Sequence, residues 1–301
     1  MIKTTVENDI LDKYLEQKHL TKPELNQLLK QQSKLAKQGY SISDITNIVK
    51  SFQQKPTKTQ RYQLGKYDVK FILTSDNHMG NIAYDSGLNT LLANTAKDRD
   101  VDFIANGGDI LDGWYQNRPQ ALFEQNAFGL DQQMDLAERE LSKYEKPFYF
   151  ITGNHTFNTY MRGAGIEIGP YLEERLGKNM DTKFLGNAEG DIELGNKSTI
   201  KLLHPDGGTA YALSYRPQKI AESFTGGEKP SILSIGHFHK AEYIFYRNIH
   251  ILQSGTLCGQ TKFMRGKNIP AMKGFWYIEA HGKKTKPEID RISMEWFPSY
   301  K

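Results

Sequence analysis

The sequence predicts an α/β domain that follows a smaller helical domain. Between about residues 66 and 183, short apolar runs alternate with helical patterns in the order β-α-β-α-β, which is typical of a largely parallel sheet. Beyond residue 183 the predicted strands follow one another without long helices, so we expect a second, mixed sheet. The first 52 residues carry helical patterns. We therefore predict a helical domain over residues 1–52, a linker over residues 53–65 and the α/β domain over residues 66–301.

The predicted helical domain has the outline of a helix-turn-helix. A capping box formed by Thr21 and Glu24 begins one helix, and Gly39 is placed to end it before a further helix begins. Any small helical bundle gives the same pattern, so this outline is one of two interpretations. The polar segment at residues 53–65 contains Pro56 and lacks periodicity, which is typical of a linker.

The positive charge of the chain is concentrated near its N-terminus. Residues 1–66 hold 12 Lys and Arg against 6 Asp and Glu, whereas the remaining residues hold 27 against 29. This asymmetry is compatible with a nucleic-acid partner for the N-terminal segment. The alternative is a lysine-rich helical face that contacts only solvent.

Apolar runs and cysteine content indicate the compartment. No apolar run reaches the roughly 20 residues that a membrane-spanning helix needs, so we expect no membrane partner. The one cysteine, Cys258, has no partner for an internal disulfide, which favours a reducing compartment and hence the cytoplasm. The sequence leaves the oligomeric state open.

Polar side chains directly follow several predicted strands of the α/β domain. The strands are predicted at residues 69–74, 101–106, 148–152, 199–203, 231–235, 243–246, 249–253, 275–280 and 289–295, with helices around residues 88–92, 130–141 and 215–223. The polar groups are Asp76-Asn77-His78, Gly107-Gly108-Asp109, Gly153-Asn154-His155, His204 and Gly236-His237-Phe238-His239. Because the carboxyl ends of strands line the ligand crevice of an open α/β sheet, we expect these side chains at one edge.

The residue types in these groups indicate a metal site. Aspartate oxygen and histidine nitrogen together suit divalent Mn, Fe, Zn or Co, whereas an all-oxygen set would suit Mg or Ca. Five of the eight histidines follow successive apolar runs, which composition alone does not explain. The remaining three, His19, His250 and His281, are interpreted as structural or exposed.

The series of motifs resembles the signature of calcineurin-like metallophosphoesterases, over about residues 66–295. The resemblance implies a four-layer α/β/β/α sandwich that holds two divalent metal ions, for which we expect Mn²⁺, with Fe, Zn or Co as alternatives. It also implies the ligands of each ion. They are Asp76, His78, Asp109 and His239 for one ion, and Asp109, Asn154, His204 and His237 for the other.

The resemblance further implies that a hydroxide bridging the two metals hydrolyses a phosphoester and that His155 is the general acid. The sequence departs from the family at Thr156, where the family usually has Asp or Glu to orient the histidine. Asp112 lies three residues beyond Asp109, where some members carry an aspartate that pairs with the catalytic histidine. We hypothesise that Asp112 orients His155, so that loss of its carboxylate would slow turnover and leave the metal content intact.

Three residues are candidates for phosphate contacts: Asn77, Arg118 and Arg162. The alternatives are a turn-forming asparagine and two solvated arginines. A basic segment with the sequence KFMRGK, at residues 262–267, is predicted as a loop that faces either a polyanion or water.

Three functions are compatible with these features. The first is a phosphodiesterase or nuclease that acts on nucleic acid, which the basic N-terminal segment favours. The second is a phosphatase of small-molecule or protein phosphomonoesters, in which the N-terminal helices serve as a cap or an oligomerisation element. The third is a non-catalytic DNA-binding protein with a retained metal site, although a structural role needs only one closed metal site.

Overall fold

Two six-stranded sheets form the centre of the part of the chain that the structure, a computed structural model, describes: residues 61–115 and 123–300. These residues belong to one compact unit of the chain. The predicted helical domain at 1–52, most of the predicted linker, His19 and Arg118 lie outside the described residues.

The described elements alternate strands and helices in the first half and are mainly strands in the second. The strands are β1 (Arg61–Gln63), β2 (Asp68–Thr74), β3 (Phe103–Asn106), β4 (Phe148–Ile151), β5 (Thr182–Gly186), β6 (Glu189–Glu193), β7 (Thr199–Leu203), β8 (Ile232–Ile235), β9 (Ala241–Tyr246), β10 (Ile249–Ser254), β11 (Gly274–Gly282) and β12 (Ile289–Pro298). The α-helices are α1 (Ser86–Asp98), α2 (Gly129–Leu141), α3 (Gly153–Ala164), α4 (Ile168–Leu176), α5 (Tyr215–Ser223) and α6 (Lys262–Gly266).

The first sheet has the strand order β12-β11-β2-β3-β4-β5, and its strands β2 to β5 run parallel. Strand β11 pairs antiparallel with both β2 and β12. The second sheet has the order β1-β6-β7-β8-β10-β9 and is mixed, because β7, β8 and β10 are parallel, whereas β9 runs antiparallel to β10 and β6 runs antiparallel to β7 and parallel to β1. The first sheet therefore takes its four parallel strands from the β-α-β part of the sequence.

Three apolar layers hold the sheets and helices together. Between the sheets, Phe71 and Phe103 stack with ring centroids 5.0 Å apart and pack with Ile200 and Ile232 of the second sheet. The other face of the first sheet packs against α1, α2 and α4, and the other face of the second sheet packs against α5. The layers are therefore helix, sheet, sheet and helix, which confirms the predicted α/β/β/α sandwich.

The central position of β2 follows from its sequence. Its last four residues, Phe71–Thr74, are all buried, because one face of the strand meets the helices and the other meets the second sheet. A strand that is covered on both faces carries a continuous apolar run instead of an alternating pattern. The outer strand β12 has only partly buried and exposed residues, as its edge position requires.

Several elements differ from the sequence-based prediction. Strand β1 lies within the segment predicted as a linker, where Arg61 forms an ion pair with Glu193 of β6, with an Nη1–Oε2 distance of 3.1 Å. The α/β domain therefore begins before residue 66. The KFMRGK segment forms α6, with a Thr261 side-chain cap, and is not a loop. Helix α3 was not predicted because it begins with Gly153 and has no side-chain cap at its N-terminus.

The described residues include no helix that is both long enough and apolar enough to cross a membrane.

Candidate metal centre

Five strands deliver the predicted metal ligands to one edge of the molecule. Strands β2, β3 and β4 of the first sheet lead into the groups that contain Asp76, Asp109 and Asn154. Strands β7 and β8 of the second sheet lead into His204 and the pair His237 and His239. The structure therefore brings together all seven residues that the sequence assigned as ligands, namely Asp76, His78, Asp109, Asn154, His204, His237 and His239.

The backbone at these strand ends is left-handed at five non-glycine residues. Positive φ angles occur at Asp76, His78, Asp109, His237 and His239, with values between 51° and 75°. This region costs an L-residue roughly 1–2 kcal/mol and is often found at functional sites. Because the backbone turns sharply at each of these residues, side chains only two positions apart can converge on one site.

Backbone hydrogen bonds between neighbouring strand-end loops hold this conformation. The amide of His78 donates to the carbonyl oxygen of Asp109 at 2.9 Å, and the amide of Asp109 donates to the carbonyl oxygen of Thr152 at 2.8 Å. The amide of Asp76 donates to the carbonyl oxygen of Gly108 at 2.9 Å. Each loop is thus positioned by the loop of the adjacent strand.

Nitrogen and oxygen atoms of the ligands lie close together in two groups. In the first, Nε2 of His239 is 3.1 Å from Nε2 of His78 and 3.3 Å from Oδ1 of Asp76. In the second, Nε2 of His204 is 3.1 Å from Oδ2 of Asp109 and 3.0 Å from Oδ1 of Asn154. His237 completes the second group, in which the ligand atoms of Asp109, His204 and His237 lie within 4.8 Å of one another.

This donor set fits two divalent ions. Asp109 belongs both to the group with His204 and His237 and to a group with His78 and His155, so its carboxylate lies between the two halves of the site. Imidazole nitrogens that face each other at 3.1 Å, beside carboxylates, are an arrangement that a cation stabilises. The buried Nδ1 of His239 has no hydrogen-bond partner among the described residues.

Carbonyl oxygens fix which histidine nitrogen faces the site. Nδ1 of His204 donates to the carbonyl oxygen of Gly107 at 2.7 Å, which leaves Nε2 for a metal. His237 is oriented in the opposite sense. Its Nε2 donates to the carbonyl oxygen of Gly207 at 2.7 Å, which leaves Nδ1 for a metal. Such partners set the tautomer and ring orientation of a metal-binding histidine.

Neighbouring carboxylates favour protonation of two of the histidines. Burial opposes a charge on His78, but hydrogen bonds to Asp112 and Asp76 outweigh burial and raise its pKa to about 10. Burial likewise opposes a charge on His204, and the negative charge of Asp109 raises its pKa to about 9. In the metal-free protein both imidazoles are therefore protonated on both nitrogens and positively charged at neutral pH.

His155 lies beside the ligands and is held by the loop that contains Asp112. Its Nδ1 donates to the backbone carbonyl oxygen of Asp112 at 3.0 Å, and its amide donates to Oδ1 of Asp109 at 2.7 Å. Burial lowers the pKa of its imidazole to about 4. The rings of His78 and Tyr115 both contact the imidazole of His155 edge-on, with centroid distances of 4.6 and 4.9 Å.

The carboxylate of Asp112 contacts His78 more closely than it contacts His155. Its Oδ1 is 3.3 Å from Nδ1 of His78 and 3.9 Å from Nδ1 of His155. Its Oδ2 accepts hydrogen bonds from Asn81 at 3.3 Å and Gln125 at 3.2 Å. The backbone carbonyl of Asp112 therefore lies nearer to His155 than its carboxylate does, and the carboxylate contacts a candidate metal ligand. That the carboxylate orients His155 stays a prediction.

Thr156, where the sequence departs from the family pattern, is fully buried. Its hydroxyl accepts a hydrogen bond from the amide of Leu111 at 3.1 Å and donates to the carbonyl oxygen of Leu111 at 3.2 Å. A carboxylate cannot donate to that carbonyl, so threonine suits this position better than Asp or Glu.

The predicted phosphate contacts do not gather at the site. Asn77 is fully buried, and its Oδ1 accepts a hydrogen bond from Asn106 at 2.6 Å, so its side chain does not line the metal pocket. Arg162 lines a neighbouring groove beside Trp114 and Tyr160. Arg118 lies outside the described residues.

Five of the seven ligands line a pocket of about 310 Å³, namely His78, Asp109, Asn154, His237 and His239. The sequence analysis missed part of its lining, including Tyr115, Glu124, Phe263, Met264 and Ile269. The KFMRGK segment was the one signal in the sequence for Phe263 and Met264. Tyr115 and Glu124 have no local pattern that would identify them.

A sequence model of the calcineurin-like phosphoesterase family matches residues 69–243, which is more than half of the chain. The chain belongs to the calcineurin-like phosphoesterases. The matched region contains every predicted metal ligand, and the resemblance seen in the motifs is thereby confirmed. Members of this family depend on two metal ions, and this phosphoesterase is accordingly a metal-dependent hydrolase that carries candidate ligand groups for them.

Solved structures with a similar arrangement share little sequence identity with this phosphoesterase. An archaeal phosphodiesterase is 12% identical, with a TM-score of 0.42 and coverage of 76% of this chain and 99% of its own. Vacuolar protein sorting 29 from Cryptosporidium parvum is 14% identical, with a TM-score of 0.41 and coverage of 78% of this chain and 100% of its own. No curated protein matches the chain.

Replacing Gly153 by alanine should weaken Mn²⁺ binding by about tenfold or more. Gly153 has a φ of +73°, and a Cβ there would lie 2.4 Å from Oδ1 and 2.6 Å from the amide nitrogen of Asp109. Isothermal titration with Mn²⁺ measures the effect. Gly163→Ala in the same helix is the control, because a Cβ there meets nothing within 4 Å. Equal affinities of the two variants would contradict the prediction.

Asp112→Asn should lower the affinity for one metal ion by roughly 10- to 100-fold, because the carboxylate orients His78. Metal content after dialysis against limiting Mn²⁺ measures this loss. Asp131→Asn, an exposed carboxylate in the first turn of α2, is the matched control. Full metal content with slowed turnover would instead support a role through His155, as the sequence alone suggested.

Metal binding should release protons, and affinity should rise with pH. His78 and His204 have raised pKa values of about 10 and about 9, so each must lose a proton before it binds a metal at neutral pH. Titrations in two buffers with different ionisation enthalpies measure the number of protons released. Identical heats in both buffers would show that the imidazoles are already neutral.

Proposed function

We propose that this phosphoesterase hydrolyses phosphodiesters and that its substrate is a nucleic acid. The observation that carries the proposal is the lining of the metal pocket. Among the residues that the structure describes, no lysine or arginine lines this pocket, whereas Tyr115, Phe238, Phe263, Met264 and Ile269 form apolar parts of its wall.

The charge of the substrate explains why this lining favours a diester. A phosphomonoester carries a charge of about −1.5 to −2 at neutral pH, and arginine side chains commonly bind its terminal oxygens. A diester carries one negative charge and has a second ester substituent, which requires space and apolar contacts. The pocket provides such contacts and adds two carboxylates, Asp112 and Glu124, which disfavour additional negative charge.

Residues of the chain supply the remaining parts of the reaction. When bound, the two metal ions would activate water and neutralise phosphoryl oxygens. His155 lines the same pocket, and its Nδ1 is occupied by the carbonyl oxygen of Asp112. Its Nε2 is thus the nitrogen that, once it has taken up a proton, can donate that proton to the leaving oxygen.

A nucleic acid is supported by the charge distribution as well as by the pocket. The basic N-terminal segment would neutralise backbone phosphates outside the catalytic centre. Nucleosides also provide planar, apolar groups on both sides of each phosphodiester, which suits a pocket wall with aromatic side chains.

The experiment compares three substrates with the Mn²⁺-loaded protein: bis(p-nitrophenyl) phosphate, p-nitrophenyl phosphate and a dinucleoside phosphate. We expect hydrolysis of both diesters and little hydrolysis of the monoester. His155→Ala should slow cleavage of the dinucleoside phosphate by roughly 10²- to 10⁴-fold. The same substitution should slow hydrolysis of bis(p-nitrophenyl) phosphate less, because p-nitrophenolate leaves without a proton.

His250→Ala serves as the matched control, because His250 packs against Tyr243 and Phe245 outside the pocket. Cleavage of the monoester alone would replace the proposal with a phosphomonoesterase. Hydrolysis of none of the substrates, with two metals bound, would favour a non-catalytic binding protein.

A further inference from the structure

Helix α6 forms part of the wall of the metal pocket and is attached to it by hydrogen bonds. The side chain of Thr261 caps the helix by accepting a hydrogen bond from the amide of Met264 at 3.2 Å. The amide of Lys262 donates to Oε1 of Glu124 at 2.7 Å, and Glu124 is buried in the pocket wall. The position of α6 is therefore fixed relative to the metal ligands.

One face of α6 offers apolar and aromatic surface to the pocket. Phe263 and Met264 of the helix line it, together with Ile269, which follows the helix. Met264 is almost fully buried, whereas Phe263 remains 46% exposed. A large aromatic side chain that is half exposed beside a catalytic pocket provides a surface on which a planar group can stack.

The remaining side chains of this segment carry positive charge. Lys262, Arg265 and Lys267 are exposed, and none of them forms an ion pair within the described part of the chain. No Asp or Glu occurs from residue 259 to residue 278. The three cations do not line the pocket itself, so any anionic group that they bind is not the phosphate at the metal ligands.

We propose that α6, with its flanking residue Lys267, binds the single-stranded part of a nucleic acid next to the phosphodiester that is cleaved. Phe263 stacks on a neighbouring base, and Lys262, Arg265 and Lys267 neutralise the adjacent phosphates. This inference rests on the proposed function, because it names the substrate that the same pocket takes.

A single-stranded nucleic acid matches this surface better than other anions. One phosphate group would not require three cations spread over six residues, whereas a strand presents a phosphate at each nucleotide. Stacking on Phe263 requires a base whose face is accessible, and the bases of a duplex are stacked on one another.

The test measures binding by the full Mn²⁺-loaded chain to a fluorescent oligothymidylate with phosphorothioate linkages, which keeps the charges and resists hydrolysis. The variant carries Lys262→Gln, Arg265→Gln and Lys267→Gln. The matched control carries Lys178→Gln, Lys229→Gln and Lys286→Gln, which remove the same charge at cations that do not line the pocket and form no ion pair among the described residues.

We expect the test variant to bind the oligonucleotide at least about tenfold more weakly at low salt. The slope of log affinity against log salt should fall by about 2, because roughly 0.7 counterions are released per phosphate contacted on a single strand. The control variant should bind within about twofold of the wild type. Hydrolysis of bis(p-nitrophenyl) phosphate should remain unchanged in both variants, because that substrate has no neighbouring phosphates.

A second variant, Phe263→Ala, tests the stacking contact independently of charge. It should weaken binding by about fivefold or more with an unchanged salt slope. Phe245→Ala removes an aromatic ring that is 58% exposed on strand β9, away from the pocket, and should have no effect.

The outcomes separate this inference from the proposed function. Equal binding by the test and control variants, or tighter binding of a duplex than of the single strand, would overturn the inference. Loss of bis(p-nitrophenyl) phosphate hydrolysis in the test variant would also overturn it, since α6 would then only support the site. Selective loss of binding in a protein that hydrolyses no substrate would support single-strand binding by α6 but reject the cleavage that the proposed function requires.

Discussion

The metal centre depends on a backbone constraint, namely that the chain turns through the left-handed region as it leaves the sheet strands. Asp76, His78 and Asp109 adopt this conformation although none of them is glycine, and hydrogen bonds between adjacent strand-end loops hold them in it. Because these loops are hydrogen-bonded to their neighbours, the positions of Asp76, His78 and Asp109 depend on one another. The stacked rings of Phe71 and Phe103 lie in the layer that keeps the two sheets together, and thereby keep their ligands within reach of one another.

Electrostatics links this geometry to the choice of substrate. In the metal-free protein the carboxylates of Asp76, Asp109 and Asp112 are balanced by protons on nearby imidazoles. Bound divalent ions would replace those protons and would be the main positive charges in a pocket that no described lysine or arginine lines. In the proposed function, the phosphate at the metals would need no side-chain cation, and positive charge would be more useful further along the substrate. The positions of Lys262 and Arg265 on α6, outside the pocket, are consistent with this division of positive charge between the metal site and the helix.

The sequence predicted the part of the site that is encoded locally. Each metal ligand follows an apolar run, so strand ends could be recognised from neighbouring residues. Asn77 was mistaken for a phosphate contact because its burial depends on Asn106, a residue on the next strand. The role of Glu124 in fixing α6 joins residues that are 138 positions apart, and no local pattern records it. Strand β1 escaped detection because three residues are too few for a periodicity.

The departure at Thr156 illustrates how a missing carboxylate can be replaced by backbone structure. Its hydroxyl binds both the amide and the carbonyl oxygen of Leu111, and this fixes the loop just before Asp112. The carbonyl oxygen of Asp112 is then held 3.0 Å from Nδ1 of His155. The carboxylate of Asp112 lies 3.9 Å from Nδ1 of His155 and closer, at 3.3 Å, to Nδ1 of His78. One residue therefore contacts both a candidate metal ligand and the proposed general acid.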